Sequence, residues 1–323
     1  MHGLRRPSGR SPHPGRRGAG TYTLPSSRAG VKAQQEARVR TILVTGAAGV
    51  LGKAVTALLE REPGVRLRVT DVAPLATRHE FVQADLADWD KTKALCDGVD
   101  EVMHIAAIHP WKQYTPQQYL DCNIKGTCNV LQAAAEAGVK RVIYTSSIAA
   151  MGYRCERPEE LPFDESRPCR PVEDIYCVSK HVGEQFCEMF RHRHGMPYIA
   201  LRPGTFVPRD EADPAWGLSL LTQWLHVSDI AMAHVLALRS DVKNEAIIIT
   251  AKVPFTSADA PALFTDARPV ILRYFPQAKL LEERGIALPK KVDRWYSIAK
   301  AERLLGYTPQ WSFGEWLEKA LAK

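Results

Sequence analysis

Thr45-Gly46-Ala47-Ala48-Gly49-Val50-Leu51-Gly52 is the stretch that decides the fold, because it joins an apolar run to an amphipathic pattern. The apolar run before it predicts a buried strand, and the pattern after it predicts a helix. Gly46 permits a tight turn, Gly49 lets the backbone approach a pyrophosphate, and Gly52 permits close packing of the helix on the strand. The amino terminus of that helix supplies amide donors. Glycines in this strand–turn–helix context predict a dinucleotide-binding loop.

Short apolar runs alternate with helical patterns along the rest of the chain. The predicted strands cover residues 41–45, 67–71, 81–85, 101–107, 141–146, 198–202 and 246–250, and the main predicted helices cover residues 50–61, 116–137, 174–195, 296–305 and 313–321. Strands of near-continuous Val, Ile and Leu that alternate with helices predict a parallel sheet covered on both faces. The predicted fold class is α/β, a Rossmann-type doubly wound parallel sheet. A small C-terminal substrate lobe is expected from residues 205–225 and 251–295.

The formal charge of +7 is concentrated in residues 1–40, which hold eight arginines and one lysine but only one acidic residue. Because no aromatic platform accompanies these cations, a disordered basic extension over residues 1–38 is favoured over nucleic-acid binding. The seven cysteines contain no C-x-x-C pair, which favours reduced thiols in a cytoplasmic protein and no metal site. No apolar run reaches the roughly 18 residues of a membrane span, so no membrane partner is expected. Residues 39–323 are predicted to form a single domain.

Acidic residues follow the second and third predicted strands. Asp71 lies 25 residues beyond Gly46, where a carboxylate accepts hydrogen bonds from ribose hydroxyls and repels a 2′-phosphate. This position favours NAD over NADP, and the alternative is that Asp71 only caps a turn before Pro74. Asp85 and Leu86 are placed to contact the adenine edge, and an ordinary turn role is the alternative for Asp85.

Tyr176-Cys-Val-Ser-Lys180 opens a predicted helix and places its tyrosine and lysine four residues apart on one face. A phenol with a pKa of about 10 is a poor base at neutral pH. An ammonium group beside it stabilises the phenolate, as acid–base catalysis requires. A lone Tyr-x-x-x-Lys pair is usually a surface pair. However, Ser147 ends the predicted fifth strand, and ligands bind at the carboxyl ends of such strands.

Taken together, these residues resemble the extended short-chain dehydrogenase/reductase family, also called the NAD-dependent epimerase/dehydratases. The resemblance covers residues 41–323. It is carried by the glycine loop, His104-Ile-Ala-Ala107, Asn123-Ile-Lys-Gly-Thr127, Ser146-Ser147, Tyr176 with Lys180, Arg202-Pro203-Gly204, His226-Val-Ser-Asp229 and Leu305-Gly-Tyr-Thr-Pro309.

The resemblance implies a role for each of these residues in hydride transfer with NAD. Tyr176 exchanges a proton with the substrate oxygen, Lys180 lowers the tyrosine pKa and holds the nicotinamide ribose, and Ser147 hydrogen-bonds the reacting oxygen. Asn123 bends its helix and holds a water in a proton relay, although a solvent-facing polar role is the alternative. The implied cofactor contacts are Gly46, Ala48, Gly49, Val50, Leu51, Gly52, Asp71, Asp85, Leu86, Ala106, Ala107, Tyr176, Lys180 and Pro203. A homodimer through the helices that carry Asn123 and Tyr176 is also implied.

Two reactions of the family fit this chain poorly. Sugar-nucleotide dehydratases place Asp-Glu directly after the catalytic hydroxyl residue, whereas Ser147 is followed by Ile148-Ala149. Nucleotide-sugar epimerases use a long stretch before the His-Val-x-Asp motif, whereas only residues 205–225 are available here. A nucleotide-sugar epimerase is kept as the alternative enzyme. A non-catalytic NAD-binding regulator is the alternative of another class, although such proteins typically lose the tyrosine or the lysine.

The short interval is partly similar to that of uronate dehydrogenases, which oxidise a free sugar acid. Thr205 retains the hydroxyl of their substrate-binding serine, while His109 and Ile148 replace two polar substrate contacts. Ser219 falls near their carboxylate-binding arginine, for which Arg209 is a candidate substitute. The predicted substrate is therefore a small sugar or sugar acid, bound by His109, Ser147, Ile148, Thr205 and Arg209. Trp216 and Trp224 are predicted to lie in the core of the lobe, and His109-Pro-Trp111 is predicted to overhang the nicotinamide site.

Overall fold

The computed structural model describes residues 39–207 and 209–322, so the predicted extension over residues 1–38 lies outside the described residues. Seven strands form one sheet: β1 (Arg40–Thr45), β2 (Val65–Asp71), β3 (Glu80–Gln83), β4 (Glu101–His104), β5 (Arg141–Thr145), β6 (Tyr198–Pro203) and β7 (Glu245–Ile249). Their order is β3-β2-β1-β4-β5-β6-β7, and every neighbouring pair is parallel. The predicted α/β class with a doubly wound parallel sheet is confirmed.

The helices that cover the sheet follow the strands in alternation. They are α1 (Val50–Leu59), α2 (Trp89–Leu95), α3 (Pro116–Tyr119), α4 (Gly126–Glu136), α5 (Ile175–His194), α6 (Pro214–Ser219), α7 (Val227–Arg239), α8 (Ala260–Thr265), α9 (Arg268–Tyr274), α10 (Lys279–Glu283), α11 (Ala299–Leu305) and α12 (Phe313–Leu321). Short 3₁₀ turns lie at Ile148–Met151, Pro158–Glu160, Ser257–Asp259 and Pro276–Ala278. Within the described ranges, no helix is both long and apolar enough to cross a membrane.

Both faces of the sheet are buried, as the continuous apolar strands require. In β1, Ile42 and Val44 join one core cluster, whereas Leu43 between them joins the cluster on the opposite face. Successive side chains of a strand point to opposite faces, so this alternation shows that helices cover both sides. The first cluster includes Val55 of α1 and Ile230 of α7, and the second includes Leu131 of α4.

The direction of winding changes between β1 and β4, which are neighbours in the sheet although β2 and β3 separate them in sequence. In open parallel sheets, the carboxyl ends of the strands at such a switch point form a crevice that binds ligands. The glycine loop follows β1, and residues 105–115 follow β4. The topology therefore places both segments at the edge where the sequence predicts the site.

The predicted helix over residues 116–137 is three consecutive segments, because a π-helical stretch, Leu120–Lys125, separates α3 from α4. Asn123 lies within this stretch and is buried. A π-helical turn adds a residue to the helix and changes the direction of the side chains that follow. The expectation that the helix deviates at Asn123 agrees with this geometry.

The two predicted lobe segments meet where the Ala251 N–H donates to the Trp224 carbonyl, and each also contacts a different part of the chain. Residues 205–225 meet the carboxyl terminus, because the rings of Trp216 and Trp311 are 5.3 Å apart and α6 contacts α12. Residues 251–295 contact residues 158–163, where the Phe163 N–H donates to the Trp295 carbonyl. Trp216 is buried as predicted. One lobe formed from both segments remains a prediction.

Candidate active site

The glycine loop has the geometry that its residue types predict. Gly46 has a φ of +71°, and a Cβ at this position would lie 2.8 Å from the Cα of Ala106. A Cβ on Gly52 would lie 2.1 Å from the Gly46 carbonyl oxygen, so α1 packs directly on the loop. Gly49 caps α1 without a side-chain hydrogen bond, and the first turn holds no acidic residue. The first-turn amides are therefore suited to an anion such as a pyrophosphate.

Asp71, the last residue of β2, connects that strand to the glycine loop. One carboxylate oxygen accepts from the Ala48 N–H at 2.9 Å, and the other accepts from the Ala73 N–H at 3.0 Å. The second contact is the turn cap that the sequence offered as an alternative. The first contact holds the carboxylate beside the loop, where the adenosine ribose of a dinucleotide lies in this fold.

The predicted adenine contacts follow β3. The Asp85 carboxylate accepts from the Ala87 N–H at 2.9 Å, which is the ordinary turn role considered as an alternative. The Leu86 carbonyl accepts from the side chains of Thr92 and Asn129, so this backbone is firmly held. Leu86 is itself buried. Adenine binding by these residues remains a prediction.

The remaining predicted cofactor residues lie around the same strand ends. The Ala106 N–H donates to the Thr45 hydroxyl, and Ala107 beside it is exposed. Pro203 ends β6 and is buried. On α1, Val50 is exposed and Leu51 is buried. A cofactor would therefore contact the backbone of Leu51 and not its side chain.

Tyr176, Lys180 and Ser147 lie together at the carboxyl end of β5. The first two are on the opening turns of α5. Asp174 precedes this helix as its N-cap, and its carboxylate accepts from the Cys177 N–H at 2.8 Å. Ser147 lies beside Tyr176, and its side chain acts to lower the pKa of the phenol. All three of these side chains are at least nine-tenths buried. The sequence prediction that Ser147 meets the tyrosine and the lysine agrees with this arrangement.

Burial dominates the electrostatics of this group. It raises the pKa of Tyr176 above its ordinary value, and the Ser147 side chain acts in the opposite direction. The Lys180 ammonium donates to the Thr145 carbonyl at 2.8 Å and lies 5.8 Å from the centre of the tyrosine ring. The lowering of the tyrosine pKa by Lys180 remains a prediction, and burial of the phenol acts in the opposite direction. Burial also lowers the pKa of Lys180, to about 8.

Asn123 connects three segments of the site through its side-chain amide. Its oxygen accepts from the Ile108 N–H at 2.9 Å, and its nitrogen donates to the Ile108 carbonyl and to the Ser179 hydroxyl at 3.1 Å. Asn123 is 2% exposed, so the solvent-facing alternative is wrong. The amide holds the segment after β4 against α5. Its role in a water relay remains a prediction.

A buried ion pair beside the candidate catalytic residues was not predicted from the sequence. Arg202 donates two hydrogen bonds to the Glu184 carboxylate, at 2.8 and 2.7 Å, and the Ser146 hydroxyl donates to the same group at 2.6 Å. Glu184 lies one turn after Lys180 on α5. The pair therefore connects α5 to the ends of β5 and β6, which carry Ser147 and Pro203. A glutamate within the helix pattern gave no signal of this partner.

Cys169, His181 and Glu184 place potential metal ligands within 4.8 Å of one another. However, the Arg202 guanidinium pairs with Glu184 and donates to the Cys169 sulfur at 3.4 Å. A guanidinium in this position repels a metal ion and uses the oxygens that would bind it. Every cysteine of the chain is a free thiol.

The predicted substrate contacts fall on two loops. His109 packs against Tyr176, with ring centroids 4.6 Å apart, and Ile148 is buried beside Ser147. Thr205 pairs with Trp224 in a short β-bridge, and the Arg209 guanidinium lies 4.6 Å from the centre of the Trp224 ring. Trp224 is half-buried and contacts Trp111 at 6.2 Å, so its prediction as lobe core is only partly met.

Ser219 is occupied by a local hydrogen bond. Its hydroxyl donates to the Trp216 carbonyl within α6, at 2.5 Å. A side chain in this arrangement does not replace a carboxylate-binding arginine. Arg209 is the cation of this loop that remains available for that role.

The residues present fit a dinucleotide. Three features lie along one edge of the sheet. Gly46 leaves a space that a Cβ would fill, α1 begins at Gly49 without a side-chain cap, and Asp71 provides a carboxylate. The space at Gly46 allows close approach of the backbone, the helix start suits the pyrophosphate anion, and the carboxylate suits the ribose hydroxyls. Tyr176 and Lys180 lie across the switch point from this cradle, on the β5 side.

Comparisons with known proteins give a consistent result. The model of the NAD dependent epimerase/dehydratase family matches residues 42–215. A uronate dehydrogenase of Pseudomonas putida is 32% identical over 193 residues, which cover 58% of this chain and 68% of that protein. A 3 beta-hydroxysteroid dehydrogenase/Delta 5-->4-isomerase of Mycobacterium tuberculosis is 28% identical and covers 87% of this chain and 89% of its own length. The crystal structure of uronate dehydrogenase from Agrobacterium tumefaciens has a TM-score of 0.63 at 22% identity, covering 88% of this chain and 89% of that one.

Proposed function

This chain belongs to the NAD-dependent epimerase/dehydratase family, and from that premise we propose that it is a NAD-dependent dehydrogenase of a small sugar or sugar acid. It is an enzyme of the extended short-chain dehydrogenase/reductase type. The observation that carries the proposal is that Tyr176, Ser147 and Lys180 are buried together at the carboxyl end of β5, across the switch point from the glycine loop. A regulator that only binds NAD has no need of a buried acid–base pair at this position.

The cofactor supplies the hydride acceptor or donor when it is bound. The first-turn amides of α1 hold its pyrophosphate, the Asp71 carboxylate holds its adenosine ribose, and Lys180 holds its nicotinamide ribose. Ser147 orients the substrate oxygen toward the phenol. Tyr176 exchanges a proton with that oxygen: it takes the hydroxyl proton in oxidation and returns a proton to the carbonyl in reduction. Oxidation needs the phenolate form of Tyr176, and reduction needs its neutral phenol.

The polarity of the site favours a hydroxylated substrate over a steroid. The side chains around Tyr176 include Ser147, His109 and Lys180, and each carries a polar group. A steroid ring would leave the buried Nδ1 of His109, which has no hydrogen-bond partner within the described chain, unsatisfied at a cost of about 1–3 kcal/mol. A sugar offers hydroxyls to the same groups. We therefore prefer a sugar substrate, although the steroid-converting relative aligns over more of the chain.

The test is NADH formation against aldoses, uronates, polyols, nucleotide sugars and a 3β-hydroxysteroid. We expect turnover with a free aldose or uronate and none with the steroid. Interconversion of nucleotide sugars without net NADH would instead support the epimerase alternative. Tight NAD binding without turnover of any substrate would support the regulator.

We also infer that the enzyme forms a homodimer in the cytoplasm. Leu120 and Val178 lie on the two helical segments implied in pairing and are 42% and 40% exposed. Apolar side chains on such faces become buried when a second copy pairs with them. Sedimentation analysis should show a dimer that Leu120→Asp with Val178→Asp dissociates, and a monomeric wild type would contradict the inference.

A further inference from the structure

Three aromatic rings form a continuous series that begins at the catalytic tyrosine. His109 meets Tyr176 edge-on at 4.6 Å, and Trp111 stacks on His109 at 5.3 Å with an interplanar angle of 9°. Trp224 then tilts against Trp111 at 6.2 Å. We refer to His109, Trp111 and Trp224 as the aromatic strip. The roles assigned to Tyr176, Lys180 and Ser147 do not explain it.

Trp111 is the exposed member of the strip. It is 53% exposed, and it is the one aromatic residue among the exposed large hydrophobic residues of the described chain. An indole exposed to water at the end of a ring series that begins at Tyr176 offers an apolar surface that a bound ligand can cover. Burial lowers the pKa of His109 to about 4, so at neutral pH the strip is uncharged. The Trp111 ring is nearly parallel to that of His109, whereas the Trp224 ring is inclined to the Trp111 ring by 57°.

A cation lies at the far end of the strip. The Arg209 guanidinium lies over the Trp224 ring, which fixes its plane. The neighbouring acids are engaged elsewhere: Asp210 accepts from the Ala212 N–H, and Glu211 faces His226. Among the described residues, Arg209 has no carboxylate partner, so its donors are available to an anionic group.

From these observations, and on the basis of the proposed function, we propose that the aromatic strip is the sugar-ring subsite and that Trp111 determines specificity. The apolar C–H face of the ring stacks on Trp111 while the reacting carbon lies at Tyr176. Arg209 pairs with an acid group carried by the ring. The combination selects a sugar acid over a neutral sugar, and a cyclic sugar over an open-chain polyol.

The ring contact is tested with Trp111→Ala and Trp111→Phe, using D-glucuronate with saturating NAD. Trp111→Ala should raise KM about 10-fold with kcat nearly unchanged, because stacking contributes to binding and not to proton transfer. Trp111→Phe retains a flat ring and should restore KM to within about 3-fold of wild type. Leu280→Ala, at a 42% exposed side chain outside the site, is the control and should change neither constant.

The charge contact is tested with Arg209→Gln, which removes the charge and keeps a polar side chain. The kcat/KM for D-glucuronate should fall about 10- to 100-fold, whereas that for D-glucose should change less than about 2-fold. Arg78→Gln removes an exposed arginine that pairs with Glu60 and should affect neither sugar. Equal losses for the two sugars would contradict pairing with the acid group.

Different measurements test the proposed function and the aromatic strip. A wild type that forms no NADH with any sugar contradicts the proposed function. The strip is then tested directly by saturation-transfer NMR with NAD and D-glucuronate. Saturation transfer to the sugar-ring protons in wild type, together with its loss in Trp111→Ala, supports the subsite. The subsite is ruled out if wild type shows no transfer or if the variant shows equal transfer. It is also ruled out if benzoate, a flat acid without hydroxyls, binds more strongly than D-glucuronate.

Discussion

Tyr176, Lys180 and Ser147 have different partners, and these partners determine what each substitution should change. Tyr176 contributes a proton and a packed ring, so Tyr176→Phe removes the first and preserves the second. Turnover should fall by roughly 10²–10⁴-fold, the usual contribution of a positioned acid–base group. The glycine loop and Lys180 are retained, so NAD affinity should change little. Stopped-flow turnover and NAD titration measure both, and near-normal turnover would rule out the mechanism.

Two further variants separate chemistry from cofactor binding. Lys180→Ala removes the donor to the Thr145 carbonyl as well as the proposed ribose contact, so both turnover and NAD affinity should fall. Ser147→Ala should lower turnover and spare NAD affinity. A Ser147→Ala protein that loses NAD affinity as strongly as Lys180→Ala would show that the serine acts through the cofactor site.

Asp71 is the residue at which cofactor choice should be decided. Asp71→Asn keeps an oxygen that can accept from the Ala48 N–H and removes the charge, so the preference for NAD over NADP should weaken while the loop stays ordered. Asp71→Ala loses the acceptor too and should also weaken NAD binding. The two affinities are measured by titration of each variant with NAD and NADP. A wild type with equal affinities would show that Asp71 is only a turn cap.

At the scale of secondary structure, the contact between α1 and the glycine loop leaves no space for a side chain. A Cβ at Gly52 would lie 2.1 Å from a backbone oxygen, which cannot move away as a flexible side chain can. Gly52→Ala should therefore destabilise the fold by about 1–3 kcal/mol and weaken NAD binding, because α1 must shift. Denaturant unfolding and NAD titration measure the two effects.

Gly314 provides the matched control in α12. A Cβ there would meet its nearest atoms at 3.5 Å, which is ordinary contact. Since alanine favours a helix over glycine by about 1 kcal/mol, Gly314→Ala should be neutral or stabilising. Equal destabilisation by both substitutions would show that helix packing at Gly52 is not the cause.

Secondary-structure elements were predictable where a local pattern decides them. Continuous apolar runs identified the strands, and the Tyr-x-x-x-Lys spacing correctly placed both side chains on the start of α5. The π-helical stretch around Asn123 was not specified, because it depends on hydrogen bonds to Ile108 and Ser179 that tertiary packing creates. The Glu184–Arg202 pair escaped detection for the same reason, since its members lie on different elements.

The raised pKa of Tyr176 shows the same limit at the level of chemistry. Its neighbour Lys180 can be identified from spacing, but the cost of burying a phenolate depends on the surrounding atoms. Likewise the pattern around His109-Pro-Trp111 indicated an overhanging segment and could not specify that three rings would align. The spacing of Tyr176 and Lys180 in the sequence predicts that the two side chains lie on one helix face. Their pKa values depend on burial, which the spacing does not give.

At the scale of the whole molecule, buried histidines connect the stability of the fold to pH. His104 bridges the hydroxyls of Thr45 and Thr127, and His234 contacts the Thr145 hydroxyl and the Ile230 carbonyl. Burial lowers the pKa of His104 to about 3 and that of His234 to about 4. Both residues lie under the strand ends that carry the site, so protonating them is coupled to unfolding.

The sign of the pH effect follows from where the protons bind. Between pH 6.5 and about pH 4, the unfolded chain protonates these histidines and the folded protein does not, so the free energy of unfolding falls as pH falls. Each histidine contributes about 1.4 kcal/mol per pH unit in the fully developed range. His234→Asn keeps a donor toward the Ile230 carbonyl and removes one titrating group, so the pH slope should decrease by that amount even if overall stability is lower. His192→Asn, at an exposed histidine of α5, should leave the slope unchanged. Denaturant unfolding at half-unit steps from pH 7 to pH 5 measures the slopes, and equal slopes for wild type and His234→Asn would show that His234 is not the linked group.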